Sequence, residues 1–166
     1  MGVYTRNLLE SRSQRINSIP IPTKIPGPLL YWMSRDQRVK DNFALFYAQE
    51  LAIRHKQPLL VLFNFDYQFP NFNSRNASFM IKNLELVDRS LRSLNILMII
   101  TSGPIAKIIP SILEEYGVSV LVTDFSPLKI KKKWHQEILE IINIPFIQVV
   151  TSKVVWVFKT RLKEGH

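Results

Sequence analysis

The sequence predicts an α/β domain: a doubly wound, three-layer parallel sheet of about five strands, Rossmann-like in outline. Three observations carry this expectation. Short aliphatic runs such as Leu59 to Phe63 and Val118 to Val122 are apolar on both faces, as strands covered by helices on both sides must be. Between them lie segments whose apolar residues recur every three or four positions, the period of an amphipathic helix. The two kinds of segment alternate along the chain, which indicates β–α–β units with right-handed crossovers.

Taken in order, residues 1–28 are polar and then studded with Pro20, Pro22, Pro26 and Pro28. Each proline fixes φ and removes a donor, so this stretch reads as an extended arm rather than an element. The first strand is Leu29 to Met33, and a glycine-free turn, Ser34-Arg35-Asp36-Gln37-Arg38, follows it. Asp41 or Asn42 can cap the next helix, whose stripe is Phe43, Phe46, Tyr47 and Leu51, and Lys56-Gln57-Pro58 ends it. The second strand runs from Leu59 to Phe65, and the loop after it carries Tyr67, Phe69 and Phe72. These rings fit a satellite core under the loop better than a ligand cleft.

The second helix begins near Arg75, with Met80, Leu84, Val87, Leu91 and Leu94 on one face. Ile96 to Ile100 forms the third strand, and Pro104 suits the first turn of a helix striped by Ile105, Ile108, Ile109, Ile112, Leu113 and Tyr116. Pro110 should bend that helix and Gly117 should end it. Val118 to Val122 is the fourth strand. A last helix holds Trp134, Ile138, Ile141 and Ile142, and Pro145 to Val150 makes the fifth strand. The domain thus spans residues 29–150, between the arm at 1–28 and a divergent tail at 151–166 with one apolar run, Val154 to Phe158.

Composition bounds the function. The 166 residues fit one domain, and 46% hydrophobic content suffices for a core. There is no cysteine, which excludes disulfides, iron–sulfur clusters and thiolate zinc sites. The net charge of +9 attracts polyanions; a nucleic-acid partner and a merely lysine-rich surface are both open readings. No apolar run is long enough to cross a membrane. Arg6, Arg12 and Arg15 precede no apolar signal core, so the protein is expected inside the cell, in cytoplasm or nucleus. An organelle transit segment is the weaker alternative, since Glu10 is acidic and the stretch is short.

In open parallel sheets, ligands sit beyond the carboxyl ends of the strands. The residues expected there are Ser34, Arg35, Asp36 and Arg38, then Asn64 and Asp66, then Ser102 and Gly103, and finally Asp124, Phe125 and Ser126. The glycine-free first turn argues against a dinucleotide site, whose glycines let the backbone approach pyrophosphate. Nucleophilic catalysis lacks its residues: there is no cysteine and no Gly-x-Ser-x-Gly. His55, His135 and His166 are scattered, so no catalytic set and no metal site is expected; His55 and His135 read as surface residues. Asp36 and Asp124 could converge as a carboxylate pair, although ion pairing of Asp36 with Arg35 or Arg38, and turn capping by Asp124, are the stronger readings. Lys129, Lys131, Lys132 and Lys133 open the last helix beside Trp134. Lysine interleaved with an aromatic can track a phosphate backbone, whereas the plain alternative is a solvated helix face. Four lysines in the first turns oppose the helix dipole, which local stability does not explain.

Two separated stretches resemble one family. Tyr31-Trp32-Met33, Gln37-Arg38, Asp41-Asn42 and the helix from Ala44 to Ala52 resemble the start of the α/β domain of class II cyclobutane-pyrimidine-dimer photolyases. Leu121-Val122-Thr123-Asp124-Phe125-Ser126-Pro127-Leu128 is similar to a second motif of that family, and the resemblance runs from about Pro28 to about Val150. It implies a deoxyribodipyrimidine photolyase, a carbon–carbon lyase for light-dependent repair of UV pyrimidine dimers in DNA. In that family a C-terminal helical domain binds FAD, whose reduced form donates an electron to split the dimer. The α/β domain is similar to an antenna module that in some members holds a deazaflavin or folate pigment, which would use the strand-end residues named above.

Past Val150 the family pattern fades and the sequence ends at His166. The expectation is a chain without the FAD-binding half, inactive alone and dependent on a separate helical domain that it meets through an apolar interface including Val154 to Phe158. Trp32, Trp134 and Trp156 then have no electron-transfer role by resemblance. Two alternatives stay open: a free-standing pigment- or nucleotide-binding module, and a basic DNA-binding accessory domain.

Overall fold

The computed structural model describes residues 3–66 and 74–150. Its first half comprises α1 (Val3–Arg12), β1 (Ser13–Arg15), β2 (Leu29–Trp32), α2 (Phe43–His55), β3 (Leu59–Phe65) and α3 (Ser74–Ser93). The second half comprises β4 (Leu97–Ser102), α4 (Ile105–Tyr116), β5 (Val120–Asp124), α5 (Lys129–Leu139) and β6 (Phe146–Val149). The loop rings Tyr67, Phe69 and Phe72 and the tail run Val154 to Phe158, with Trp156, lie outside the described residues.

β2 is central because every one of its residues is buried. It pairs in parallel with β3 on one side and β5 on the other. The chain winds outward to β4, crosses back, and winds outward again to β6, giving the order β1-β6-β5-β2-β3-β4. Winding reverses between β2 and β5, so the crevice that such sheets offer to ligands opens at their carboxyl ends.

Side chains alternate between two cores, as strand geometry requires. Leu29, Tyr31 and Met33 join Val61, Phe63 and the apolar faces of α2 and α3. Leu30 and Trp32 join Leu60, Leu62 and the faces of α4 and α5. Ala44, Ala48 and Ala52, four residues apart, are all buried and let α2 lie close on the sheet. Its N-cap is Asn42 and its C-cap Lys56, which takes a left-handed conformation. Gly117 ends α4 the same way, at φ 62°, and Pro104 is its N-cap rather than a first-turn residue.

Five parallel strands and the helices between them agree with the sequence expectation. The first half of the proposed arm does not: α1 and the antiparallel edge strand β1 occupy it. Leu9 is buried, the Arg12 guanidinium lies 4.2 Å over the Phe43 ring, and the Val150 N–H donates to the Arg12 carbonyl. The stretch is too polar to show a periodicity, and its order comes from pairing with β6. Three stripe residues are also corrected. Phe46, Leu94 and Ile141 are 39%, 48% and 57% exposed, because the alanine face sets the rotation of α2 and the other two lie past their helix ends.

Candidate functional site

The turn after β2 is built around a carboxylate from the far side of the switch point. Asp124, the last residue of β5, is fully buried. Its Oδ2 accepts from the backbone N–H groups of Ser34 (2.9 Å), Arg35 (2.7 Å) and Asp36 (3.3 Å). Its Oδ1 accepts from the Tyr31 hydroxyl at 2.6 Å. Burial pushes the Asp124 carboxyl above the usual range, and the bonds from Tyr31, Arg35 and Ser34 work against that rise. Burial, and then the Asp124 charge, drive the Tyr31 hydroxyl well above its ordinary value. Asn42 completes the assembly. Its Nδ2 donates to the Tyr31 hydroxyl and to the carbonyls of Asp36 and Arg38, each at 3.0 Å, while its Oδ1 caps α2 through the Leu45 N–H at 2.9 Å.

This arrangement disposes of a phosphate cradle on physical grounds. The consecutive N–H groups that would face a phosphate are already taken by a carboxylate, whose charge repels a second anion. Asp36 and Asp124 lie close enough for the Asp36 charge to add to the rise of the Asp124 carboxyl. They meet through the Asp36 backbone N–H, and Asp124 clasps the turn after β2 rather than its own. Among the described residues no ion pair joins Asp36 to an arginine.

Beside this turn the carboxyl ends of β2 and β3 and the segment after β5 enclose a cavity of about 410 Å³. Trp32 and Met33 reach it from β2, Phe63 to Asp66 from β3, and Lys131 and Trp134 from α5. The two indoles lie 6.5 Å apart at 41°. Lys131 Nζ sits 4.5 Å from the Trp134 ring and 5.9 Å from that of Trp32. Burial lowers the Lys131 amine to about 8, with Asp124 and Asp66 pulling the other way. Asn64 is held in one orientation: its Oδ1 accepts from the Thr101 hydroxyl and its Nδ2 donates to the Gly103 carbonyl, both at 2.9 Å. Ser34 Oγ is buried with no hydrogen-bond partner among the described residues.

Of the strand-end residues named from sequence, Ser34, Arg35, Asn64, Asp66 and Ser126 line the cavity. Asp36, Arg38, Ser102, Gly103, Asp124 and Phe125 do not. Asp124 supports the turn from behind, Gly103 anchors Asn64, and the Arg38 guanidinium bonds the Asp41 carbonyl at 3.3 Å. The basic cluster divides: Lys131 turns into the cavity, whereas Lys129, Lys132 and Lys133 stay exposed, Lys133 beside Glu137 at 3.7 Å. Trp32 and Trp134 were missed as wall residues. The three-residue step from Lys131 to Trp134 puts both on one helix face, and that spacing was the available signal.

His135 is not a surface residue. It is 6% exposed, edge-on to Trp32 at 5.5 Å and to Phe146 at 5.4 Å, with Nε2 unbonded among the described residues. Burial, then Lys131, lower it to about 4. Among the described residues no cluster of histidine and carboxylate side chains suits a metal ion.

The DNA photolyase family model matches residues 29–165, the whole sheet from β2 onward. The chain belongs to the DNA photolyase family. The photolyase of Arabidopsis thaliana is 42% identical over 114 residues, covering 69% of this chain and 23% of that protein. That of Potorous tridactylus is 36% identical, covering 82% and 26%, and that of Methanothermobacter thermautotrophicus is 36% identical, covering 83% and 31%. The chain therefore spans between a fifth and a third of the length of these photolyases. In fold, a bacterial class III photolyase from Agrobacterium tumefaciens superposes with a TM-score of 0.63 at 19% identity, over 81% of this chain and 27% of that one. A Synechocystis cryptochrome gives 0.62 at 15% identity, over 78% and 28%. Photolyase membership agrees with the resemblance read from the sequence at the level of the family. Among the described residues, no helix is long and apolar enough to cross a membrane.

Proposed function

We propose that this chain is the pigment-binding α/β domain of a class II type photolyase, serving light-dependent repair of pyrimidine dimers in DNA. The observation that carries the reading is the strand-end cavity. It is walled by two indoles, offers cations in Lys131 and Arg35, and among the described residues leaves the Ser34 hydroxyl without a partner. Such a lining fits a planar heteroaromatic pigment, a deazaflavin or a folate, with a polar substituent. When bound, the pigment supplies near-UV or blue absorption. Trp32, Trp134 and Lys131 would line the pigment's pocket, with Lys131 toward its electron-rich edge, and Asn64 and Asp66 would fix its orientation. Class II membership is supported by Tyr31 to Met33, Gln37-Arg38 and the Leu121 to Leu128 segment.

On this reading the lyase chemistry belongs to an FAD-binding helical domain, and DNA is met through that complete assembly in cytoplasm or nucleus. The 166-residue chain alone then cleaves no dimers. Titrating the purified chain with a deazaflavin or a folate should shift the ligand's near-UV band and induce circular dichroism in it. Lys131→Gln should weaken binding about tenfold, the loss of one charge-assisted contact. No spectral change with either pigment overturns the pigment reading and leaves family membership standing.

A further inference from the structure

The lysine run of α5 sets four amines side by side, and they meet different surroundings. Among the described residues Lys131 is the one lysine in the lining of the strand-end cavity, whereas Lys129, Lys132 and Lys133 are exposed. The Lys131 Nζ lies over two indoles, 4.5 Å from the centre of Trp134 and 5.9 Å from that of Trp32. Phe63 and Phe65, edge to face at 5.0 Å, add two more rings to the lining. An ammonium held among rings loses hydration, and this lowers the amine to about 8 against the pull of Asp124 and Asp66. The neighbouring His135 feels the same charge.

A desolvated lysine suits imine chemistry, because the free base rather than the ammonium attacks a carbonyl. At pH 7.5 an amine at about 8 holds roughly two hundredfold more free base than an ordinary lysine. The walls decide which carbonyl compounds come within reach. A space of about 410 Å³ bounded by two indoles and two phenyl rings takes a flat aromatic body.

We propose that Lys131 is a covalent attachment site, at which Nζ captures a planar aromatic aldehyde as an imine inside the strand-end cavity. The Nζ lone pair adds to the formyl carbon, the π pair of the carbonyl moves to its oxygen, and one N–H proton passes to that oxygen. The carbinolamine so formed breaks its C–O bond and gives up its remaining N–H proton, releasing one water and leaving C=N. Nothing is oxidised or reduced, and the aldehyde is the sole co-reactant. A protonated imine keeps the positive charge that Asp124 and Asp66 already stabilise. The step goes beyond the pigment reading, in which a deazaflavin or a folate is held without a bond, although both use one cavity.

The test is labelling of the 166-residue chain with 2-naphthaldehyde, reduction of the imine with cyanoborohydride, and peptide mass mapping. The adduct is expected at Lys131 about tenfold faster than at Lys129, Lys132 or Lys133, since a less basic amine gives back part of its free-base advantage as weaker nucleophilicity. Its rate should rise through pH 8, whereas that of the exposed lysines rises near pH 10. An excess of 2-naphthylmethanol, with the same rings and no carbonyl, should slow labelling at Lys131 and leave the exposed lysines unaffected. Lys131→Arg keeps the cation and should abolish this adduct with an unchanged far-UV spectrum. Even labelling of the four lysines, no protection by 2-naphthylmethanol, or a rate at Lys131 that rises only near pH 10 overturns the proposal. Pigment titration fails or succeeds separately: a chain that binds neither pigment still labels at Lys131, and one that binds a pigment but labels evenly keeps the pigment reading and loses this one.

Discussion

Asp124 shows how much one buried carboxylate can organise. Three backbone N–H groups and one hydroxyl point at it, the hydroxyl bond buried and the backbone bonds partly so. Asp124→Ala should therefore cost more than a typical core truncation. Each orphaned buried donor carries a penalty of about 1–3 kcal/mol, so a loss of roughly 3–5 kcal/mol is expected in urea unfolding. Asp124→Asn keeps the shape and one acceptor oxygen and should recover part of the loss. Equal midpoints for the two variants would show that the clasp contributes little. The turn's importance is visible in the sequence only as an absence of glycine. That the missing anion site is filled by a carboxylate about ninety residues away depends on which strands become neighbours, and local sequence does not encode that.

At the scale of the element, the helices are more legible than the positions that decide their ends. The alternation of Leu29, Tyr31 and Met33 with Leu30 and Trp32, and the stripes of α3 and α4, are local periodicities and were readable as such. Lys56 was readable as a stop, but not as a strained one. It occupies a left-handed conformation at φ 53°, where an L side chain costs about 1–2 kcal/mol relative to glycine. Lys56→Gly should raise stability by roughly 0.5–1 kcal/mol and move the thermal midpoint upward; an unchanged or lower midpoint would contradict this account. α5 illustrates the opposite limit. Its lysine run looks uniform in sequence, yet the helical turn sends Lys131 inward over two indoles and leaves its neighbours in solvent. The cavity wall was missed because a basic run beside a tryptophan reads as a surface until the sheet beneath it is placed.

For the whole molecule, the second core makes stability depend on acid. His135 is neutral in the fold, lowered to about 4, and titrates at its ordinary value near 6.5 once unfolded. As pH falls through this window the unfolded chain takes up protons that the folded chain does not, so stability falls with pH. The loss should amount to about 3 kcal/mol between pH 6.5 and 4. His135→Phe, which keeps an aromatic ring between Trp32 and Phe146, should flatten that slope. If the slope persists in the variant, carboxylates rather than His135 carry the acid sensitivity.

The pairing of β1 with β6 has a consequence for the order in which the chain is assembled. Asn17 Nδ2 donates to the Ile144 carbonyl, 127 residues away, at 2.8 Å, and among the described strands β1 pairs with β6 alone. The first strand to leave the ribosome is thus the last to find its partner. β2, β3 and β4 can join as soon as they are made, whereas the amino-terminal segment waits, without a partner strand, until the final strand of the sheet emerges. The two ends of the fold close on each other, so nascent chains halted before Phe146 should leave the segment around Ser13 open to proteolysis.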